Sequence, residues 1–137
     1  MKILPGVTAS VSLTVADGDT APAARSGDVP VLATPRLLAL CEEATVAAAA
    51  PGLEGGETTV GSRVELQHFA PSPPGAVVEA IAVLTQVEGS RLMFSVTARQ
   101  GGTVVGRGTI TRVVVDRARF LAGADHPPGG GPGGEPG

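Results

Sequence analysis

The chain has 137 residues, and its last fifteen, 123–137, hold seven Gly and four Pro, which leaves 122 residues, enough for one ordinary domain. Hydrophobic residues make up 42% of the chain, with no Trp or Tyr and three Phe, which argues against an aromatic platform for single-stranded nucleic acid. A net charge of −3 argues against phosphate-backbone binding, and one cysteine, Cys41, rules out an internal disulfide framework or a multi-cysteine metal site.

Ala and Val supply 38 of the 58 hydrophobic residues, so the core is built from small pieces. No run of eighteen apolar residues exists, so no membrane-spanning helix is expected. The start, Met1 to Gly6, carries one basic residue and breaks at Pro5-Gly6 without the apolar centre of a signal peptide, which makes the cytoplasm the expected location. Nine Arg against one Lys, with heavy Ala and Gly, is the composition of a GC-rich genome.

From Val7 to Val15 the apolar residues Val7, Ala9, Val11, Leu13 and Val15 alternate with Thr and Ser, the pattern of a half-buried strand. Asp17 to Pro30 has no period and reads as a loop, of a length often tied to function. Thr34-Pro35 opens a helix over roughly 35–49, with Thr34 as N-cap, Pro35 at the first helical position and Pro51-Gly52 as the stop. That helix is apolar nearly all round, which predicts burial within the domain or at a subunit contact.

Four strand-like runs follow. Thr58 to Phe69 places Val60, Ser62, Val64, Leu66 and His68 on one face, and Pro71 to Gly75 breaks the run. Ala76 to Val87 is apolar on both faces, as a central strand would be. Glu88-Gly89-Ser90 turns into Arg91 to Arg99, and Gly101-Gly102 turns into Val104 to Val115, where Gly106 and Gly108 suggest a close approach or a bulge. Asp116 to Leu121 reads as a short terminal turn. The expectation is a single domain over 1–122, a strand, a helix and four strands in meander, with a disordered tail over 123–137. One helix covers only part of five strands and is itself too apolar to face water, so an obligate homodimer is expected, with a tetramer as a further option.

Charged residues within apolar runs carry the chemical information. Glu42 lies among Leu38, Ala39, Thr45 and Val46, where it is either a partly desolvated base or nucleophile or the partner of an arginine at an interface. His68, on the inward face of its strand, is as a lone histidine more often a core residue than a catalytic one, and Thr34 by itself is an N-cap. His126, in the tail, is discounted. Thr34 and Glu42 stand eight residues apart, a little over two turns, so both can point to one side of the helix. Hydroxyl, carboxylate and imidazole are the groups that acyl transfer requires, and a helix N-terminus adds N–H donors for an oxyanion.

These residues resemble the fluoroacetyl-CoA thioesterase family, a group of the hot-dog fold. Val31 to Thr34 through Leu40 to Glu42 is similar to that family's helix, and Val60-Gly61 through His68, with the Ser72 to Gly75 turn, to its catalytic strand. Pro51 to Glu54 and Val87 to Leu92 fit as well, and the resemblance covers about Val7 to Phe120. It implies an α+β hot-dog fold, an antiparallel five-stranded sheet wrapped around one long helix. It further implies a Thr34, Glu42, His68 catalytic set, with Gly61 near the bound acyl group. The site would lie at a dimer interface and need no metal or separate cofactor, coenzyme A being part of an acyl-CoA substrate. The loop Asp17 to Pro30 departs from the family, because it lacks the aromatic lid residues of the fluoroacetyl-specific member, so a broader or different short acyl group is expected.

Two further readings stand beside the thioesterase. One is a catalytically silent hot-dog dimer that binds an acyl thioester or another small ligand. The other is a hydratase or dehydratase of the same fold, for which no paired Asp/His motif is found. Arg91, Arg99, Arg107, Arg112, Arg117 and Arg119 read mainly as solvated strand-edge residues, any of which is available to coenzyme A phosphates.

Overall fold

The computed structural model describes residues 1–125. Five strands, β1 (Thr8–Thr14), β2 (Glu57–His68), β3 (Val77–Glu88), β4 (Arg91–Gln100) and β5 (Thr103–Asp116), form one antiparallel sheet. Three α-helices, α1 (Ala21–Ala24), α2 (Thr34–Ala49) and α3 (Arg117–Asp125), and two 3₁₀ turns, Asp17–Asp19 and Ala50–Gly52, complete the secondary structure of the described residues. The sheet order is β1-β3-β4-β5-β2. The expected four-strand meander is therefore corrected: β3, β4 and β5 follow one another, but β2 crosses to the far edge and pairs with β5. The long connection through α2 lets β1 and β2 take opposite edges.

The core lies between α2 and the inward side of β3, β4 and β5. Leu37, Leu40, Cys41, Ala44 and Ala48 of the helix pack with Val78, Ala80, Ala82, Leu84, Leu92, Phe94, Val96 and Ile110. The small Ala side chains of β3 bring the helix close to the strands, and truncating Leu37 or Leu40 to Ala should cost about 2–5 kcal/mol. Only one stripe of α2 is buried, however. Val46 on its outer side is 45% exposed, so the all-round apolar helix keeps an uncovered face within the single chain. β3 likewise buries one face and exposes Val77 and Val83 on the other, rather than being buried on both.

Glycine permits the turns and the tight strand contacts. Gly89 and Gly101 take φ of 60° and 59° at the two hairpin turns, the left-handed region that glycine enters without a steric penalty. At Gly108 a β-carbon would run into the Glu65 carbonyl oxygen, so close approach is what that glycine provides. The segment read as a plain loop over 17–30 instead contains a 3₁₀ turn (Asp17–Asp19) and α1, and Thr20 bridges Leu32. The terminal turn is longer than expected, because α3 runs through Gly123 to Asp125. The rest of the Gly/Pro-rich tail, with His126, lies outside the described residues.

Candidate active site

Thr34 is the first residue of α2 and not its cap. Ala33 occupies the N-cap position without a side-chain cap, which corrects the expected role of Thr34 and releases its hydroxyl. That hydroxyl stands 2.8 Å from His68 Nδ1, at the end of β2. The pair lies in a cleft of about 350 Å³, walled by Ala21, Ser26, Gly27, Asp28, Val29, Val31 and Leu32 on one side and by Phe69, Ala70 and Pro71 on the other. His68 Nε2 is buried and has no hydrogen-bond partner among the described residues. Burial holds the His68 ring below the usual imidazole value, with a smaller opposing pull from the Ala70 backbone. A neutral ring is the form that can accept a proton from a hydroxyl.

The wall facing His68 is fastened to the helix start. The Asp19 carboxylate accepts from the Ala16 N–H at 2.9 Å and from Arg36 Nε at 3.0 Å, and the Asp19 carbonyl accepts from the Ala33 N–H at 2.9 Å. The Ala16 N–H, aided by Arg36, holds the Asp19 carboxyl below its ordinary value. The Leu32 N–H donates to the Ser72 carbonyl at 2.8 Å, tying the same wall to the turn after β2. The loop, though rich in turn residues, is thus anchored at both ends of the cleft.

Glu42 belongs to a second cluster, two turns further along α2. Arg112 Nη1 donates to Glu42 Oε2 at 3.3 Å, while Arg112 Nε donates to Thr59 Oγ1 at 2.9 Å and Nη2 to the Thr59 carbonyl at 3.2 Å. The pair is lopsided: the Arg112 side chain is 8% exposed and that of Glu42 37%. Burial lowers the proton affinity of the guanidinium and Glu42 opposes that shift. Gly61 faces the same carboxylate, since a β-carbon there would lie 2.9 Å from Glu42 Oε2. Of the two readings left open for Glu42, an arginine partner is present, and it comes from the same chain.

Three of the sequence expectations need adjusting here. Val60 does not share a face with His68, because a bulge between Gly61 and Arg63 inserts Ser62 and shifts the alternation of β2. Gly61 therefore faces the helix before the bulge, and Leu66 and His68 face it afterwards. Arg112 is not a solvated edge residue but 7% exposed; its place two residues after the buried Ile110 on β5 was the available signal. The aromatic side chain of the cleft is Phe69 from the end of β2, which no feature of the loop announced. Cys41, beside Glu42 on α2, is buried, and burial with the adjacent charge pushes its thiol up to about 11, so it is not a nucleophile at neutral pH. Among the described residues no cluster of His, Cys, Asp or Glu is suited to hold a metal ion, and no helix is long and apolar enough to cross a membrane.

Known proteins are similar to this chain in sequence and in fold. The chain is 41% identical over 92 residues to the fluoroacetyl-CoA thioesterase of Streptantibioticus cattleyicolor, an alignment spanning 67% of this chain and 66% of that protein. The crystal structure of a point mutant of the fluoroacetyl-CoA-specific thioesterase FlK superposes with a TM-score of 0.85 at 31% identity, covering 92% of this chain and 98% of that one. A hot-dog-like protein from Thermanaerovibrio acidaminovorans, 24% identical, shares the fold at a TM-score of 0.85 over 94% of this chain and 96% of its own. The profile of the fluoroacetyl-CoA-specific thioesterase family matches residues 15–118, and with the sheet, helix and cleft described above, the chain belongs to that family and has the hot-dog fold.

Proposed function

We propose that the chain hydrolyses the thioester of a short acyl-CoA, using Thr34, His68 and Glu42. The observation that carries this reading is the 2.8 Å contact between Thr34 Oγ1 and His68 Nδ1 in a cleft beside a helix N-terminus. The family relation supports thioester hydrolysis, and a thioester needs little help with its leaving group, because a thiolate departs readily. What remains to be supplied is an attacking group and a home for the oxyanion.

Glu42 and Thr34 start from positions about 12 Å apart along the helix axis. The Glu42 carboxylate is held at Gly61 and Arg112, and the reading places the thioester carbonyl and its attacking water between that carboxylate and the Thr34–His68 pair. In this reading Glu42 takes a proton from the water, and the oxygen adds to the carbonyl carbon. The C–S bond then breaks, giving the free acid and the thiol of coenzyme A once its sulfur is protonated. With the Nδ1–H tautomer of His68 donating to Thr34 Oγ1, the Thr34 hydroxyl proton and the N–H groups of the first turn of α2 receive the developing oxyanion. His68 fixes the Thr34 hydroxyl and moves a proton, a role worth about 10²–10⁴-fold in rate. No metal or separate cofactor is needed for these steps.

The acyl group is short and need not be fluorinated. The loop side of the cleft offers Ala21, Ser26, Gly27, Asp28, Val29 and Val31, and its one aromatic contact is Phe69 on the opposite side. The working form is a homodimer: β2 is an edge strand with one side unpaired, and Val46 on α2 and Val64 on β2 are both exposed. A second copy would cover these surfaces. Light scattering should give twice the chain mass at micromolar concentration, and a monomer there would count against the dimer.

The experiment is an acyl-chain panel, acetyl- to longer acyl-CoAs with fluoroacetyl-CoA included, read by thiol release. Short acyl-CoAs should turn over, and Glu42→Gln, His68→Ala and Thr34→Ala should each lower kcat. Binding without release across the panel would establish the silent module instead.

A further inference from the structure

Arg112 is the one charged side chain that the fold buries among the described residues. Such burial is a poor source of stability, because desolvating a cation roughly cancels what its partner returns. A well-packed apolar residue would serve the core at least as well. Its geometry suggests what else it does. Nε and Nη2 both go to Thr59, at 2.9 and 3.2 Å, so the guanidinium is clamped flat against β2. Only Nη1 remains for Glu42, and it meets Oε2 alone, at 3.3 Å. Among the described residues no side chain bonds Oε1.

We infer that Arg112 is a positioning residue, which holds the Glu42 carboxylate by one oxygen in front of Gly61 and leaves the other free to take a proton. The inference rests on the reading of Glu42 as the catalytic carboxylate. A glutamate 37% exposed on a helix has rotamers that point into water. A fixed guanidinium selects the rotamer directed at the sheet, and Gly61 supplies the space, since any β-carbon there would stand 2.9 Å from Oε2. The Thr59 clamp distinguishes this arrangement from an ordinary ion pair. It fixes the cation first, so the carboxylate follows the strand and not the solvent. A lysine carries the charge but lacks the planar fork, and cannot make both Thr59 contacts and the Glu42 contact from fixed directions.

The test is a cycle of Arg112→Lys, Glu42→Gln and the double variant in the full chain, assayed on the acyl-CoA that the wild type cleaves fastest. Arg112→Lys should lower kcat about 10²-fold, the usual result of a misplaced catalytic group, with KM nearly unchanged. The double variant should be no slower than Glu42→Gln alone, because Arg112 acts through Glu42. Additive losses, a change confined to KM, or wild-type kcat in Arg112→Lys would overturn the inference. Thr59→Val, which loosens the clamp without touching a charge, replaces Arg112→Lys if that variant does not fold, and should give a smaller loss of the same kind. Crystal structures of the wild type and the variant decide the point without turnover: the carboxylate should leave its place in front of Gly61, and an unmoved Glu42 would defeat the proposal. Absence of wild-type activity on every acyl-CoA would sink the thioesterase reading separately.

Discussion

Thr34 Oγ1 lies 2.8 Å from His68 Nδ1, joining the first residue of α2 to the last of β2, while Nε2 of the same ring is left without a partner among the described residues. The contact spans 34 positions of sequence. It sets a hydroxyl, a neutral ring and the N–H groups of a helix start around one cleft.

Burial depresses the His68 ring below its ordinary value of 6.5, so the folded chain takes up this proton later than the unfolded chain as pH falls. The stability that the neutral ring contributes is complete above pH 6.5 and declines as the pH drops below it. Melting curves of wild type and His68→Asn between pH 8 and 5 should show the wild type losing ground relative to the variant below 6.5. A pH-independent difference would show that His68 does not titrate differently on folding.

Thr34→Ser keeps a hydroxyl within reach of Nδ1, whereas Thr34→Ala removes it. The serine variant should retain turnover within about tenfold, and the alanine variant should fall by about 10²-fold or more, the range for removing one oxyanion or proton-relay contact. Both should melt near wild type, because Thr34 caps nothing. Equal activity of the two variants would remove the hydroxyl from the mechanism.

Gly61→Ala places a methyl group 2.9 Å from Glu42 Oε2. The carboxylate is the mobile end of a flexible side chain, so the fold should tolerate the change at about 1 kcal/mol or less, at the low end of overpacking costs. Turnover should fall sharply. Chemical denaturation and thiol release, measured on one preparation, separate the two effects, and full activity would show that the carboxylate has no fixed station there.

The Ser72 hydroxyl is buried and has no partner among the described residues. An unsatisfied buried hydroxyl costs about 1–3 kcal/mol, so Ser72→Ala should raise the melting temperature. The backbone bond from Leu32 to the Ser72 carbonyl survives the change, and activity should hold. A drop in stability would mean that the hydroxyl has found a partner, such as an ordered water.

Periodicity and local chemistry determined the elements of this protein. Alternation from Val7 to Val15, the Thr34-Pro35 opening and the Pro51-Gly52 stop mark a strand and a helix within a residue or two of β1 and α2. The glycine turns at 89 and 101 mark the hairpins for the same reason, since backbone sterics act locally. The spacing of Thr34 and Glu42 on one helix was equally legible.

The tertiary structure alone decided which of these elements meet. Sheet order depends on pairing between distant strands, so nothing near β2 in sequence reveals that its neighbour is β5. The extra residue at Ser62 reverses the alternation halfway along β2, and a period-two pattern carries no mark of a bulge. Whether Thr34 caps the helix or starts it is a shift of one position, yet it determines whether the hydroxyl bonds its own backbone or His68. Arg112 follows the buried Ile110 by two residues on β5, a spacing that points to burial but names no partner. Its role follows from Thr59 and Glu42, the first on a strand and the second on a helix far away in sequence, because a buried charge is defined by its partners and not by its neighbours in the chain.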